Sequence, residues 1–361
     1  MFRRMPSTPH RGAAGRGALT NQTGRFERLV REAEPDGWDL AEDLPPLRTE
    51  VSVERPRTII TRNTSPDVPF DRSINPYRGC EHGCVYCFAR PSHAFLGLSP
   101  GLDFETKLIA RPDAPAVLEA ELRRPRYRPD VIAIGTNTDP YQPIERDRRI
   151  MRGVLEVLAR FAHPVGIATK GTLVERDADI LAPMSSDGIA RVGLSVTTLD
   201  PEIARRMEPR VPTPARRLRA IERLAKAGVE VRVMVSPIIP GLTDHEIEAI
   251  LKAARDAGAV AASMIALRLP REVSELWRDW LAEHYPDRVT RVMSKLREMH
   301  GGRDYDPAWG KRMMGEGVYA RLLRDRFDRA TRALGLAATL PPLRTDLFKP
   351  PPRLGDQLQL L

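Results

Sequence analysis

Short, almost wholly apolar runs alternate with amphipathic stretches through the middle of the chain, and this alternation restricts the fold more than any other feature. The runs are Val131–Ile134, Val165–Ala168, Val192–Val196, Val229–Val235 and Ala262–Leu267, each bounded by Gly, Pro or polar residues. Their near-continuous hydrophobicity suits strands covered on both faces. Between them, Ile150, Val154, Val157, Leu158 and Phe161 recur at helical spacing. Leu218, Ile221, Leu224 and Ala225 do the same, as do Ile247, Ile250, Leu251 and Ala254. Gly228 and Gly258 stand where helix C-caps are expected, just before the next strand. Alternating strands and helices predict a parallel sheet with right-handed crossovers. With one further strand ahead of the cysteines the count is six units, an α/β chain forming an open, partial barrel rather than a closed eight-fold one.

The two ends read differently. Residues 1–55 are expected to be a flexible basic N-terminal arm: Met1–Arg31 holds seven arginines and one acid, and an acidic-aromatic patch, Glu34–Asp39, follows. The barrel is assigned to 56–300, and 301–361 to a helical C-terminal extension with a Pro-rich tail. Within Trp309–Leu334, Tyr319, Leu323, Phe327, Ala330 and Leu334 form an apolar stripe, while Arg321, Arg324, Arg329 and Arg332 form another face. That face suits solvent and also a phosphate backbone.

Hydrophobic residues make up 42% of the chain, enough for a sizeable core, yet no run approaches the roughly 18–20 apolar residues of a membrane span. Met1–Gly24 lacks a secretory apolar segment, so no membrane association and a cytoplasmic location are expected. The net charge of +9 fits either a nucleic-acid partner or an arginine-rich background composition, since only seven of the 57 basic residues are lysine.

All three cysteines lie within eight residues, Cys80-Glu81-His82-Gly83-Cys84-Val85-Tyr86-Cys87. A disulfide would leave an odd thiol and need an oxidising compartment. Thiolates select zinc, copper(I) or iron–sulfur clusters. Structural zinc normally takes four protein ligands, and His82 is poorly placed between Cys80 and Cys84 to be the fourth. The better match is a 4Fe–4S cluster held by Cys80, Cys84 and Cys87 with one iron open, zinc being the alternative.

The Cx3CxΦC spacing, with Tyr86 as the aromatic, resembles the signature of radical S-adenosylmethionine (radical SAM) enzymes. Asn75-Pro76-Tyr77-Arg78-Gly79-Cys80 and Cys87-Phe88-Ala89-Arg90 look like the spore-photolyase-like branch, and the resemblance runs from about Pro56 to the C-terminus. It implies a partial (β/α)6 barrel with its site at the C-terminal strand ends. It also implies a 4Fe–4S cluster and SAM as cofactors. The amino and carboxylate groups of SAM would chelate the open iron, and one electron would cleave the sulfonium to methionine and a 5′-deoxyadenosyl radical. A reductant such as ferredoxin or flavodoxin is therefore an expected partner, and the chain is expected to be a monomer.

Polar residues after the strands are the candidate SAM contacts alongside Tyr86. Thr138 and Asp139 offer acceptors to the ammonium, Lys170 a partner for the carboxylate, and Ser195 and Thr197 hydroxyls for the ribose. Ile238 lies in a stiff loop suited to adenine, and Arg268 is a candidate for a substrate phosphate or for a plain salt bridge. An ordinary turn, a surface lysine and β-branched strand residues are the plain readings of the same positions. In spore photolyase the second strand ends Cys-Thr-Ser-Asp, and that cysteine returns a hydrogen atom to the product. Here the aligned residues are Thr136-Asn137-Thr138-Asp139, and a threonine O–H bond is too strong for that role. The expected activity is thus hydrogen abstraction from a substrate, with nucleic acid, a protein or a small metabolite as the candidates and thymine-dimer repair by the cysteine route excluded. A non-catalytic metal-bearing module is the alternative from a different class.

Overall fold

Six parallel strands, each followed by chain that crosses back over the sheet, form the centre of the protein in a computed structural model, which describes residues 15–27 and 46–352. In chain order the strands are β1 (Glu50–Val53), β2 (Ile60–Arg62), β3 (Arg72–Ile74), β4 (Tyr77–Arg78), β5 (Lys107–Ala110), β6 (Ile132–Ile134), β7 (Val165–Thr169), β8 (Ala190–Ser195), β9 (Val231–Ile238) and β10 (Ala261–Ala266). The large sheet runs β10-β9-β8-β7-β6-β3-β2. Its first six members are parallel, and β2 joins β3 antiparallel at the edge. A small sheet, β1-β5-β4, stands beside it. The six-unit open barrel expected from the alternation is what forms, with β3 as its first strand.

The helices follow the apolar periodicity: α1 (Ala114–Leu122), α2 (Ile150–Arg160), α3 (Ala178–Ser186), α4 (Pro201–Met207), α5 (Pro214–Lys226), α6 (Ile247–Asp256), α7 (Val273–His284), α8 (Val289–Met299) and α9 (Gly317–Leu334). Ile150, Val154, Val157 and Leu158 of α2 are buried against the sheet. At about 1.5–3 kcal/mol per fully buried aliphatic side chain, this stripe fixes the helix face. Asp200 caps α4 through the amides of Glu202 and Ile203. Gly228 and Gly258 close α5 and α6 with φ of 89° and 98°, so the chain turns into the next strand without a side-chain clash.

Gly15–Glu27, within the arm expected to be flexible, is docked: Arg16, Ala18 and Thr20 are buried, and Gly17 and Ala18 donate their amides to Glu105. The acidic-aromatic patch and the rest of the Arg-rich start lie outside the described residues. At the other end α9 packs on α6, burying Ala320, Leu323 and Phe327. Arg326 pairs with Glu248, and Arg321 and Arg329 are exposed. The Pro-rich tail continues as an extended strap. Ala337 bridges β10, Phe348 packs on Tyr127 and Phe161, and the Pro351 carbonyl accepts from Arg123.

Candidate functional site

The cysteine loop follows β4 and lies across the C-terminal ends of the parallel strands. Its backbone is tied from several sides: Cys80 N–H donates to Phe104 O (2.9 Å), Glu81 N–H to Gln142 Oε1 (2.8 Å) and Val85 N–H to Met207 O (3.1 Å). Beneath it sits Arg90, fully buried. Its guanidinium donates to the carbonyls of Cys84, Gly83, Pro100 and Gly101 and to the Glu105 carboxylate, so all five donors are taken. Glu105 in turn accepts from Gly17 (2.9 Å) and Ala18 (2.8 Å). A Cβ on Gly17 would stand 1.7 Å from the Gly83 carbonyl oxygen, so only glycine permits this approach.

Cys80, Cys84 and Cys87 are unpaired thiols on the wall of one cavity of about 310 Å³. Burial pushes all three pKa values up, reinforced by Asp139 at Cys80 and Glu208 at Cys84. A bound cation is what would hold them as thiolates. Among the described residues no three Cys, His, Asp or Glu side chains gather closely enough to ligate a single ion. His82, the conceivable fourth ligand, instead turns Nδ1 to Asp139 Oδ2 at 3.3 Å. Three soft donors spread round a cavity, with no fourth among the described residues, fit an iron–sulfur cluster better than one zinc ion.

Asp139 is the hinge between this loop and the strand ends. Its carboxylate also accepts from Thr169 Oγ1 (2.6 Å), Lys170 N (2.7 Å) and Tyr141 N (2.9 Å). Burial alone would raise its pKa, but His82 and these donors hold it below the usual carboxylate range. Lys170 Nζ reaches Ser236 O at 3.0 Å and Glu208 Oε1 at 3.5 Å, with the Tyr86 ring 5.7 Å away.

Glu208 collects the rest of the network. It accepts from the Tyr86 hydroxyl and from Thr197 Oγ1 (2.9 Å), and pairs at 2.7 Å with Arg217, both partners being fully buried. Arg217 also donates to Ser195 O (3.0 Å). Burial would raise the Glu208 pKa; Arg217 and Lys170 more than reverse that and hold it at about 2. A permanent carboxylate thus ties the aromatic of the cysteine loop to the ends of the strands at Lys170 and Ser195.

Of the residues singled out in the sequence, Tyr86, Asp139, Lys170, Ser195 and Arg268 line the same cavity as the three cysteines. Thr138, Thr197 and Ile238 stand behind that wall. Thr138 donates to Tyr77 O (2.9 Å), Thr197 lies within the Glu208 network, and Ile238 is in the main core. At the end of β9 the lining comes from Ser236 and Pro237 instead. Glu208, Arg217 and the Arg90–Glu105 pair went unforeseen. No periodic signal in the sequence marks the burial of Glu208.

A family model described as the radical SAM superfamily matches residues 74–254. An uncharacterized protein of Mycobacterium tuberculosis (strain H37Rv) is 36% identical over 285 residues, covering 78% of this chain and 83% of its own. An uncharacterized protein of Methanocaldococcus jannaschii is 29% identical over 173 residues, covering 48% of this chain and 62% of its own. Among solved structures, spore photoproduct lyase complexed with dinucleoside spore photoproduct superposes with a TM-score of 0.57 at 16% identity, covering 79% of this chain and 80% of that one. A variant of that lyase with bound AdoMet and the dinucleoside gives 0.57 at 15%. These identities show a shared fold. The family match over half its length and a relative 36% identical over most of it show that the chain belongs to the radical SAM superfamily, whose members work with a 4Fe–4S cluster and SAM.

Proposed function

We propose that this chain is an enzyme that holds a 4Fe–4S cluster on Cys80, Cys84 and Cys87, binds SAM beside it and abstracts hydrogen from a substrate, with nucleic acid the first candidate. The observation that supports this most is the meeting of three free thiols, with no fourth protein ligand among the described residues, at a cavity lined from the ends of the parallel strands. Cluster and SAM together supply one-electron cleavage of the sulfonium and a carbon radical able to take hydrogen. Lys170, already turned into the cavity, would meet the SAM carboxylate, while Asp139 and Ser195 present oxygens to its ammonium and ribose. Thr138, Thr197 and Ile238 support these contacts from behind. Phe88, Met234, Ile265 and Met313 keep the remaining wall largely apolar, which excludes water from a radical.

An external one-electron donor of the ferredoxin or flavodoxin type completes the reaction. Thr136, which aligns with the hydrogen-donor cysteine of spore photolyase, lines the cavity, and every cysteine here is assigned to the cluster. The substrate radical is therefore quenched by something other than a thiol of this chain.

Anaerobic reconstitution tests the reading. About four irons and four sulfides per chain, with methionine and 5′-deoxyadenosine released on dithionite reduction, support it; stoichiometric zinc, or an intact cluster that never cleaves SAM, overturns it. Cys84→Ala should abolish cluster assembly, and a full cluster in that variant would refute the ligand assignment.

A further inference from the structure

Arg268 follows β10 by two residues and stands in the cavity wall with its guanidinium 4.4 Å from the centroid of the Phe88 ring. Its one hydrogen bond among the described residues is to Met313 Sδ at 2.8 Å, and no carboxylate there lies within ion-pair distance. Burial lowers its pKa, so the charge is partly stripped of water. Thioether sulfur is a weak acceptor. Arg90 shows what a satisfied guanidinium looks like in this fold, with five donors placed; Arg268 keeps most of its donors unused and faces the space where a substrate would enter.

A second, open cleft of about 490 Å³ is lined by Arg271, Arg278, Arg297 and Arg303. Asp304 is the acid among its lining residues and pairs with Arg278 and Arg297. Four arginines and one aspartate leave three positive charges in excess. Arg271 and Arg303 are exposed and have no acidic partner among the described residues; the neighbouring Glu272 is engaged by Arg25. Two residues link the cleft to Arg268. Leu269, beside Arg268 in the chain, lines the cleft, as does Tyr305, which acts electrostatically on Arg268.

A row of cations leading to an apolar cavity suits a ligand with repeated negative charge better than a single small anion. We infer that the cleft binds the phosphodiester backbone of a single-stranded nucleic acid, and that Arg268 on Phe88 takes the phosphate of the nucleotide entering the cavity. Phe88, 45% exposed, adds aromatic surface for a base. A single strand, or an unpaired nucleotide, is required because a base or sugar enters an enclosed site only after it leaves the duplex. The inference rests on the cavity being the site of radical chemistry, and the two fail separately.

The test is fluorescence anisotropy of a fluorescein-labelled oligodeoxythymidylate 12-mer with anaerobically reconstituted protein between 50 and 200 mM salt. Single-strand contacts each contribute a slope of about 0.7 in log K against log salt, or about fivefold at 0.1 M. The Arg271→Glu/Arg303→Glu variant should therefore lose about 25-fold at 0.1 M and about 1.4 in slope. Arg268→Gln should lose about 0.7 in slope. The Arg321→Glu/Arg329→Glu variant, with the same charge change on α9, should stay within about threefold of wild type. Equal losses in both double variants would reduce the binding to diffuse attraction by net charge and overturn the inference, as would an unchanged affinity in the cleft variant with wild-type thermal stability. Wild-type protein that cleaves SAM but does not bind the oligonucleotide overturns the cleft assignment alone; binding without SAM cleavage supports the cleft and overturns the reading of the cavity.

Discussion

Replacing Glu208 by Gln removes one negative charge and almost no volume, so its cost measures the charge network directly. In the structure the carboxylate stands 2.7 Å from Arg217, with neither side chain exposed, and 3.5 Å from Lys170. After the substitution Arg217 is left with neutral acceptors, the Ser195 carbonyl and one amide oxygen, and its Nε already has none. Removing one partner of a buried pair costs about 3–5 kcal/mol because the other charge is left uncompensated. The same range is expected here, since Lys170 keeps its bond to Ser236 O while Arg217 loses the carboxylate it pairs with. Urea unfolding of the cluster-free protein by circular dichroism reads this as a fall in midpoint at constant slope. The Glu208→Gln/Arg217→Met double variant, which removes both charges, should recover at least about 2 kcal/mol of that loss. A cost below about 1 kcal/mol, or a double variant as unstable as the sum of the singles, would refute the claim that this pair is a coupled buried unit.

Lys170→Met should weaken SAM binding to reconstituted protein by about 10- to 100-fold, the effect of losing one charged hydrogen bond, as measured by calorimetry. Gly17→Ala should undock Gly15–Glu27, because its Cβ meets the Gly83 carbonyl at 1.7 Å; faster tryptic cleavage near Arg16 and faster cluster bleaching in air are the readouts. His163 is buried with Nδ1 toward Pro164 O (3.0 Å) and Nε2 toward the Tyr127 hydroxyl (2.7 Å), and desolvation lowers its pKa to about 4. The unfolded imidazole takes up a proton near pH 6.5 and the folded one does not, so stability should fall by up to about 3 kcal/mol as pH drops from 6.5 to 4. His163→Phe should flatten the denaturation profile over that window, and an unchanged profile would rule out His163 as the cause.

The strands that end at the site were legible because each is covered on both faces and therefore written in consecutive apolar residues. The cysteines were legible because soft ligands at fixed spacing have few other uses. What escaped was polar and long-range. Glu208 meets Tyr86 across 122 positions and Arg90 meets Glu105 across a cluster of tight turns, and neither contact leaves a period in the sequence. Ile238 was read as a cavity residue because it follows an apolar strand, yet β9 runs on through it and points it into the core, leaving Ser236 and Pro237 on the open side. Gly15–Glu27 looked like solvent-exposed arm because it is short, polar and glycine-rich. Those same small residues let it pass within contact of Gly83.

That close passage also sets an order of events during synthesis. Gly17 leaves the ribosome 88 residues before Glu105, the carboxylate that receives its amide. At about 5–20 residues per second the segment waits roughly 4–18 s before its seat exists. The cysteine loop, meanwhile, is complete before Glu105 emerges, and the closing segment cannot settle until the loop beneath it has its final shape. A segment made long before its seat is thus among the last to find its place against the cysteine loop.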